Sequence, residues 1–385
     1  MFIAAEGYRE LMNLTAVEYF AGIGLVRLGL EAEGWRVTFA NDIEPKKYKM
    51  YADYFGEEEQ TYLIGDIHQL DATTVPSTDL ATASFPCIDL SLAGNGAGLN
   101  GKHSGAFWGF IEILKQMGSR RPPLIMVENV VGWLHSHKGE DFRQAIASLN
   151  ALGYYCDAFV LDAQHFTPQS RPRMFVIGSQ QRPNGEDVYH HHLARPLPLF
   201  PNSLRSAIAQ NNDLLWMGLD LPTPPPLHSD LPTIVEHLPD DDPQWWIDEK
   251  RDHLVSQMSP KHLALVKQLR MQEAISFATV FKRVRAEGTR AEVRADGVAG
   301  CLRTPVGGSS KQILLQLGHG TLRARWMTAR EYARLQGVPD SYPINVPYIQ
   351  ALWGFGDAVC VPAIAWIARH ALNPLAEELH LAQYA

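Results

Sequence analysis

Apolar positions along this chain fall into short blocks that alternate between strand and helix spacing. Leu14 to Phe20 is apolar, β-branched and aromatic, the texture of a strand. It runs through Ala21-Gly22-Ile23-Gly24 into a helical spacing of Leu25, Leu28 and Glu31 that stops at Gly34. Further strands are expected over Trp35 to Ala40, Tyr62 to Ile64, Asp79 to Phe85, Leu124 to Val127, Tyr155 to Leu161 and Arg173 to Ile177. Helical spacing recurs over Phe107 to Met117, and over Phe142 to Leu152 with Gly153 as its stop. The order is βαβαβ, which predicts a sheet wound with helices on both faces.

Past Ser179 this texture is lost. Residues 196–243 hold many prolines, three in a row at Pro224 to Pro226, with Asp240-Asp241-Asp242 close behind. That composition predicts irregular, surface-running chain. Regular α/β spacing returns near the end. Met327 to Gln336 reads as a helix with Thr328 as N-cap and Gly337 as its stop, and Gly354 to Val359 leads into an apolar helix over Pro362 to His370.

Composition narrows the class. The 385 residues suffice for one large domain and a smaller one, and 46% hydrophobic with 20% charged is ordinary for a globular chain. No apolar run approaches the roughly 18 residues of a membrane span, and Met1 to Glu6 lacks a signal peptide's basic start. Cys87, Cys156, Cys301 and Cys360 are far apart, with no paired ligand spacing, so free thiols in a cytoplasmic protein and no metal are expected. His190-His191-His192 lacks accompanying ligands and reads as a solvated loop. The net charge of −8 argues against a uniformly basic nucleic-acid binder. Within 261–294, however, eight Lys and Arg face three Glu, with Phe277 and Phe281 among them. Local basicity with aromatics fits contact with a phosphate backbone.

The candidate chemistry sits where strands end. Pro86 has no N–H for a sheet ladder and so ends the strand before it, which leaves Cys87 at the mouth of a glycine-rich loop, Leu92 to Gly101. Ligands of open α/β sheets bind beyond the carboxyl ends of strands. A glycine turn after the first strand, then Asp42 and Asp66 at the ends of the next two, favours a nucleoside ligand. One such acid alone would more commonly be a turn or a helix cap.

With these residues placed, the chain resembles the cytosine-5 DNA methyltransferases of bacterial or phage type over almost its whole length. Phe20-Ala21-Gly22-Ile23-Gly24 looks like the methyl-donor loop, Pro86-Cys87 like the nucleophile motif, and Glu128-Asn129-Val130 like the family's Glu-Asn-Val. Gln169, Arg171 and Arg173 match the paired-arginine motif. Arg303 with Gly307 to Ser310, and Thr328-Ala329-Arg330-Glu331 with Arg334 to Gly337, resemble later family segments. Three departures stand out: Ile88 where many members have Gln, Leu25 for a common Gly, and Asp357 for Asn; Asp42 likewise stands where Glu is more usual.

The resemblance implies an α/β fold, a Rossmann-like doubly wound methyltransferase sheet with a smaller, irregular target-recognition domain. The expected domains are 1–178 catalytic, 179–300 target-recognition, and 301–385 returning to the catalytic domain. The implied reaction carries a methyl group from S-adenosylmethionine to C5 of a cytosine flipped out of duplex DNA, through a Cys87–C6 adduct. Glu128 would protonate or hydrogen-bond N3, Arg173 would hold the O2 side, Arg171 would help order the cysteine loop, and either arginine would favour the thiolate. Donor contacts are expected from Phe20, Ala21, Gly22, Ile23, Gly24, Asp42, Ile43, Asp66, Ile67, Pro86, Phe107, Asp357, Ala358 and Val359. DNA contacts are expected from Lys282, Arg283, Arg285, Arg303, Ser309 and Ser310. Asp357 is expected at a turn that opens the following helix. The implied partners are double-stranded DNA and a cognate restriction endonuclease, with the protein itself a monomer. The alternatives are an RNA cytosine-5 methyltransferase, which the long proline-rich and basic insertion disfavours, and a silent DNA-binding homologue, which retention of Cys87, Glu128, Arg171 and Arg173 disfavours.

Overall fold

The first strand, β1 (Thr15–Tyr19), is buried along nearly its whole length as an interior strand of a seven-stranded sheet. The computed structural model describes residues 13–56, 61–87, 90, 98–101, 104–182, 195, 198–227, 230–285, 288–305 and 310–383. After β1 come α1 (Leu25–Glu31), β2 (Arg36–Asp42), α2 (Pro45–Phe55), β3 (Tyr62–Ile64), β4 (Leu80–Ser84), α3 (Ala106–Met117), β5 (Leu124–Val130), α4 (Glu140–Ala151), β6 (Tyr155–Asp162), β7 (Pro172–Ser179) and α5 (Asn202–Gln210). The sheet order is β3-β2-β1-β4-β5-β7-β6. β1 to β5 run parallel, and β7 is inserted antiparallel to both β5 and β6. A parallel sheet is covered on both faces, which is why Leu124 to Val127 of β5 are apolar without alternation and all at most 1% exposed. This is the α/β, Rossmann-like methyltransferase sheet that the resemblance implies.

The chain forms two units, one of residues 1–162, 172–224 and 363–385, the other of 163–171 and 225–362. The second unit holds α6 (Asp248–Ser256), α7 (Pro260–Arg270), β8 (Ser276–Arg285), β9 (Gly288–Arg294), β10 (Ile313–Gly318), β11 (Thr321–Trp326), α8 (Ala329–Leu335) and α9 (Tyr348–Asp357). Its four strands make an antiparallel sheet in the order β11-β10-β8-β9. Leu254, Met258 and Val266 of the helical segment pack with Ala278, Val280, Ala291, Ile313, Leu315 and Leu317 of the sheet. The irregularity expected of the 179–300 domain is therefore corrected for 276–285 and 288–294, which form two regular strands. The period of two is present, with Ala291 and Val293 buried between Arg290, Glu292 and Arg294, but charge on the open positions masks it. The division also differs from the expected 179–300 and 301–385, because β10 pairs with β8 across nearly thirty residues, and composition does not register a long-range pairing.

After α9 the chain forms α10 (Val361–Ile367), a π turn over Ala368–Leu372, and α11 (Asn373–Gln383). The expectation that no apolar run approaches a membrane span is corrected here: Tyr348–Leu381 contains an 18-residue window of mean hydropathy 1.5, apolar enough to cross a membrane, of which 67% is buried in the protein. In the first unit this tail is pinned by Trp35 Nε1, which donates to Asn373 Oδ1 at 2.6 Å, and by the Arg369–Glu33 ion pair at 2.7 Å.

Candidate active site

The loop between β1 and α1 takes three residues into the left-handed region: Phe20 at φ +58°, Gly22 at +59° and Gly24 at +80°. Gly24 is obligatory twice over. Beyond its φ, an added Cβ would lie 2.4 Å from the Phe55 ring and 2.8 Å from that of Tyr51. Gly22 is different: an added Cβ would make only ordinary contacts, none nearer than 3.8 Å, so its positive φ rather than crowding calls for glycine. Asp42, at the end of β2, holds this loop. Its Oδ2 accepts from Gly22 N–H and its Oδ1 from Glu44 N–H, both at 2.9 Å. Beside it Ile43 is 65% exposed, an apolar face for a planar base, and Asp66 caps the turn Ile67–Gln69 through His68 N–H. A glycine turn at a strand end, an exposed apolar side chain and two acids fit an adenosyl group. Ala21 and Ile23 are buried within the loop, Ile67 is buried at the start of its own turn, and Phe107 is fully buried among Phe85, Phe110 and Trp133. Phe107 has a packing role here and presents no surface to a donor.

Cys87 is half-buried, outside any disulfide, three residues beyond the end of β4. Its entry is fixed from both sides. Asn129 Nδ2 donates to the carbonyl of Phe85 at 3.1 Å, and Ser104 Oγ donates to that of Pro86 at 2.9 Å. The Ser104 latch escapes a motif reading; Asn129 is the middle residue of the Glu-Asn-Val segment, and a buried amide there has to find partners. Glu128 is buried near the end of β5, the parallel neighbour of β4, opposite Ser84 in register. Across the antiparallel pair, Glu128 faces Phe175. Arg173, two residues before Phe175, therefore lies diagonally on the same face, and its Nε is 3.1 Å from Glu128 Oε1.

Arg171 is placed otherwise. It belongs to the second unit and is buried there, donating to the carbonyls of Leu302 at 3.0 Å, Ala358 at 2.7 Å and Gly356 at 3.3 Å. Gln169 and Gln336 serve the same framework. Gln169 Nε2 donates to Leu335 O at 2.8 Å and its Oε1 accepts from Leu302 N–H at 3.1 Å, while Gln336 Nε2 donates to Phe355 O at 2.6 Å. The expected ordering role of Arg171 thus falls on the chain at 302 and 356–358, while Arg173 keeps company with Glu128. Asp357 is the exposed last residue of α9, four residues short of α10, so the expected helix-opening turn is corrected to a helix C-terminus. Ala358 is half-buried and Val359 buried.

Of the expected DNA contacts, Lys282 is half-buried on β8, and Arg283 pairs with Glu292 at 3.3 Å while lying over the Phe281 ring at 5.3 Å. Arg303 is exposed and Ser310 half-buried. Ser309, Ile88, most of the loop after Cys87, His190 to His192 and the Arg285 side chain lie outside what the structure describes. Among the described residues no cluster of three or more His, Cys, Asp or Glu suits a metal ion.

Comparison with known proteins gives the same neighbourhood. The family model for C-5 cytosine-specific DNA methylase matches residues 14–373. The type II methyltransferase M.NgoBI of Neisseria gonorrhoeae is 26% identical over 349 residues, 90% of each chain. M.HhaI of Haemophilus parahaemolyticus, also a type II methyltransferase, is 25% identical over 94% of each. Among solved structures, S. pombe Dnmt2 methyltransferase matches with a TM-score of 0.62 at 19% identity, over 94% of this chain and 99% of its own. A methyltransferase encoded within an E. coli prophage, described as a putative DNA modification enzyme, matches at 0.55 and 16%, with the same coverage. At these identities the two structures speak for the fold alone.

Proposed function

The chain belongs to the C-5 cytosine-specific DNA methylase family, and from that premise we propose that it methylates C5 of a cytosine flipped out of duplex DNA, through a covalent bond from Cys87 to C6. The observation that carries the reading is the Glu128–Arg173 pair, set at the strand edge from which the Cys87 loop departs. Cytosine C5 is a poor nucleophile, so the reaction needs an addition at C6 first. The Cys87 thiolate forms the C6–S bond. The C5=C6 electron pair shifts to C5=C4, and N3 takes a proton from Glu128. Arg173, anchored on Glu128, fixes that carboxyl and reaches the O2 side of the ring.

S-adenosylmethionine, when bound, supplies the electrophilic methyl that the enamine carbon C5 takes. Phe20, Gly22, Asp42, Ile43 and Asp66 are the residues that would hold it. A base then removes the C5 proton, the C5=C6 bond reforms, the thiolate leaves, and the N3 proton returns to Glu128. Asn129 and Ser104 hold the backbone that aims Cys87, so the nucleophile enters with little orientation left to lose. The type II designation of the relatives supports a restriction endonuclease as cognate partner.

Cys87→Ser tests the nucleophile. Methyl transfer to DNA should fall by more than about 100-fold while DNA binding and the thermal transition persist, because an alcohol adds to C6 far less readily than a thiolate. DNA carrying 5-fluorocytosine should trap the wild-type protein covalently, since fluorine does not leave as a proton does. Near-normal turnover by Cys87→Ser, or no trapped complex, would overturn the adduct.

A further inference from the structure

The second unit carries a group of lysines that, among the described residues, enter no ion pair. In the antiparallel ladder Val280 faces Ile313, and Ile313 faces Trp326 on its other side. Lys282 lies two residues beyond Val280 and Lys311 two before Ile313, so the period of two puts both on one face at one end of the sheet. Lys250 reaches the same end from α6. Its Nζ is 4.1 Å from the centre of the Trp246 ring and 5.5 Å from that of Trp326. Lys311 Nζ stands 4.6 Å from the Trp326 ring and 6.0 Å from that of Tyr348. The two indoles meet edge to face at 4.9 Å and form a fixed shelf under the ammonium groups.

The three lysines repel one another. The Lys250 pKa is lowered, first by partial burial and then by Lys311 and Lys282. Three nearby arginines have acid partners, unlike these lysines: Arg283 pairs with Glu292, Arg323 with Asp240 and Arg325 with Glu331. Among the described residues no carboxylate pairs with Lys250, Lys282 or Lys311. Like charges facing each other across a ladder cost stability unless something anionic lies between them.

We infer that Lys250, Lys282 and Lys311, seated on Trp246 and Trp326, form a binding site for the sugar–phosphate backbone of duplex DNA. This rests on the DNA reading of the family and extends the contact expected of Lys282 to Lys250 and Lys311, which the sequence alone does not single out. Lysine suits the task, since a compact ammonium accepts phosphate oxygens from any direction and reads no base.

The test is the affinity of the full-length protein for a short mixed-sequence DNA duplex across a salt series. Each phosphate contact contributes about 0.9 to the slope of log affinity against log salt. Lys250→Gln and Lys311→Gln should each lower the slope by about that amount, and the pair by about 1.8. Lys→Arg at the same positions should keep the slope, which separates charge from shape and from folding. The sequence methylated in genomic DNA should stay the same in every variant. A double Gln variant with the wild-type slope, or one that methylates a different sequence, would overturn the site while leaving the DNA reading intact. Wild-type protein that neither binds nor methylates duplex DNA would overturn the DNA reading and the site together.

Discussion

Glu18 lies in β1, just before the loop assigned to the methyl donor, and is 1% exposed. Burial pushes its pKa up to about 8, against the pull of Arg27 and with smaller upward pushes from Glu31 and Asp42. Arg27 is itself engaged elsewhere, with Glu31 at 2.7 Å, the Tyr51 hydroxyl at 2.9 Å and the Phe55 ring at 4.1 Å. The consequence has a definite sign. Between the ordinary carboxyl value near 4.5 and about 8, the folded protein holds a proton that the unfolded chain has released. Stability should therefore be full below that window, fall as pH rises through it, and level off above about 8. Glu18→Gln keeps the shape without the titration. Its denaturant midpoint should lose that part of the pH slope, and at pH near 8 the variant should be the more stable protein, by about 1 kcal/mol for each unit of the shift that burial sustains. A variant with the wild-type slope across the window would assign the titration to another group. Such a residue is illegible in the sequence, where Glu18 looks like one polar position in a strand.

The element that best shows what local pattern reveals is α8. Thr328 was expected as its N-cap, and the structure has a capping box: Glu331 N–H donates to Thr328 Oγ1 at 3.1 Å and Thr328 N–H to Glu331 Oε2 at 2.7 Å. The pattern Thr-x-x-Glu carries that much in four residues. What it does not carry is that Glu331 is fully buried and also binds Arg325 of β11, equally buried, with Arg325 Nη1 at 2.7 Å from Oε2. The same boundary runs through the rest of the fold. β1, its glycine turn and Asp42 were legible because strand texture and positive φ are local properties. The second sheet was not, because its register depends on partners far along the chain. Likewise the motif around Arg171 and Arg173 reads as one unit, yet its two guanidinium groups serve different frameworks. Glu331→Ala should therefore cost far more than a lost cap, which is worth about 1 kcal/mol. It leaves Arg325 charged and buried, a loss of about 3–5 kcal/mol in chemical denaturation. A cost near that of a cap alone would show that Arg325 finds other company.

At the scale of the whole molecule, the first unit is closed by its last residues rather than by its middle ones. Residues 363–385 rejoin it after the chain has built the second unit. Ile364, Ile367 and Leu372 are fully buried, and Leu375 and Trp366 are at most 8% exposed. Each such side chain contributes about 1.5–3 kcal/mol by leaving water, so the five together represent roughly 10 kcal/mol. That is comparable to the entire stability of an ordinary domain, about 5–15 kcal/mol. Polar ties add direction to this burial. Asn373 accepts from Trp35 Nε1 and donates to Glu33 O at 3.2 Å, and His380 stands 3.5 Å from Asp79. The segment thus bonds to the chain near the start of β2 and before β4, strands of the half that carries Asp42 and Cys87. A protein ending at Pro362 keeps every residue assigned to catalysis and donor binding, so a tail with no structural part would leave methyl transfer untouched. The burial argues the opposite. The truncated protein should lose its cooperative unfolding transition and its methyl transfer together. Leu372→Ala in the full chain should cost about 2–5 kcal/mol with activity retained at low temperature. A truncated protein that unfolds cooperatively at the full-length midpoint would mean that the first unit closes without its tail.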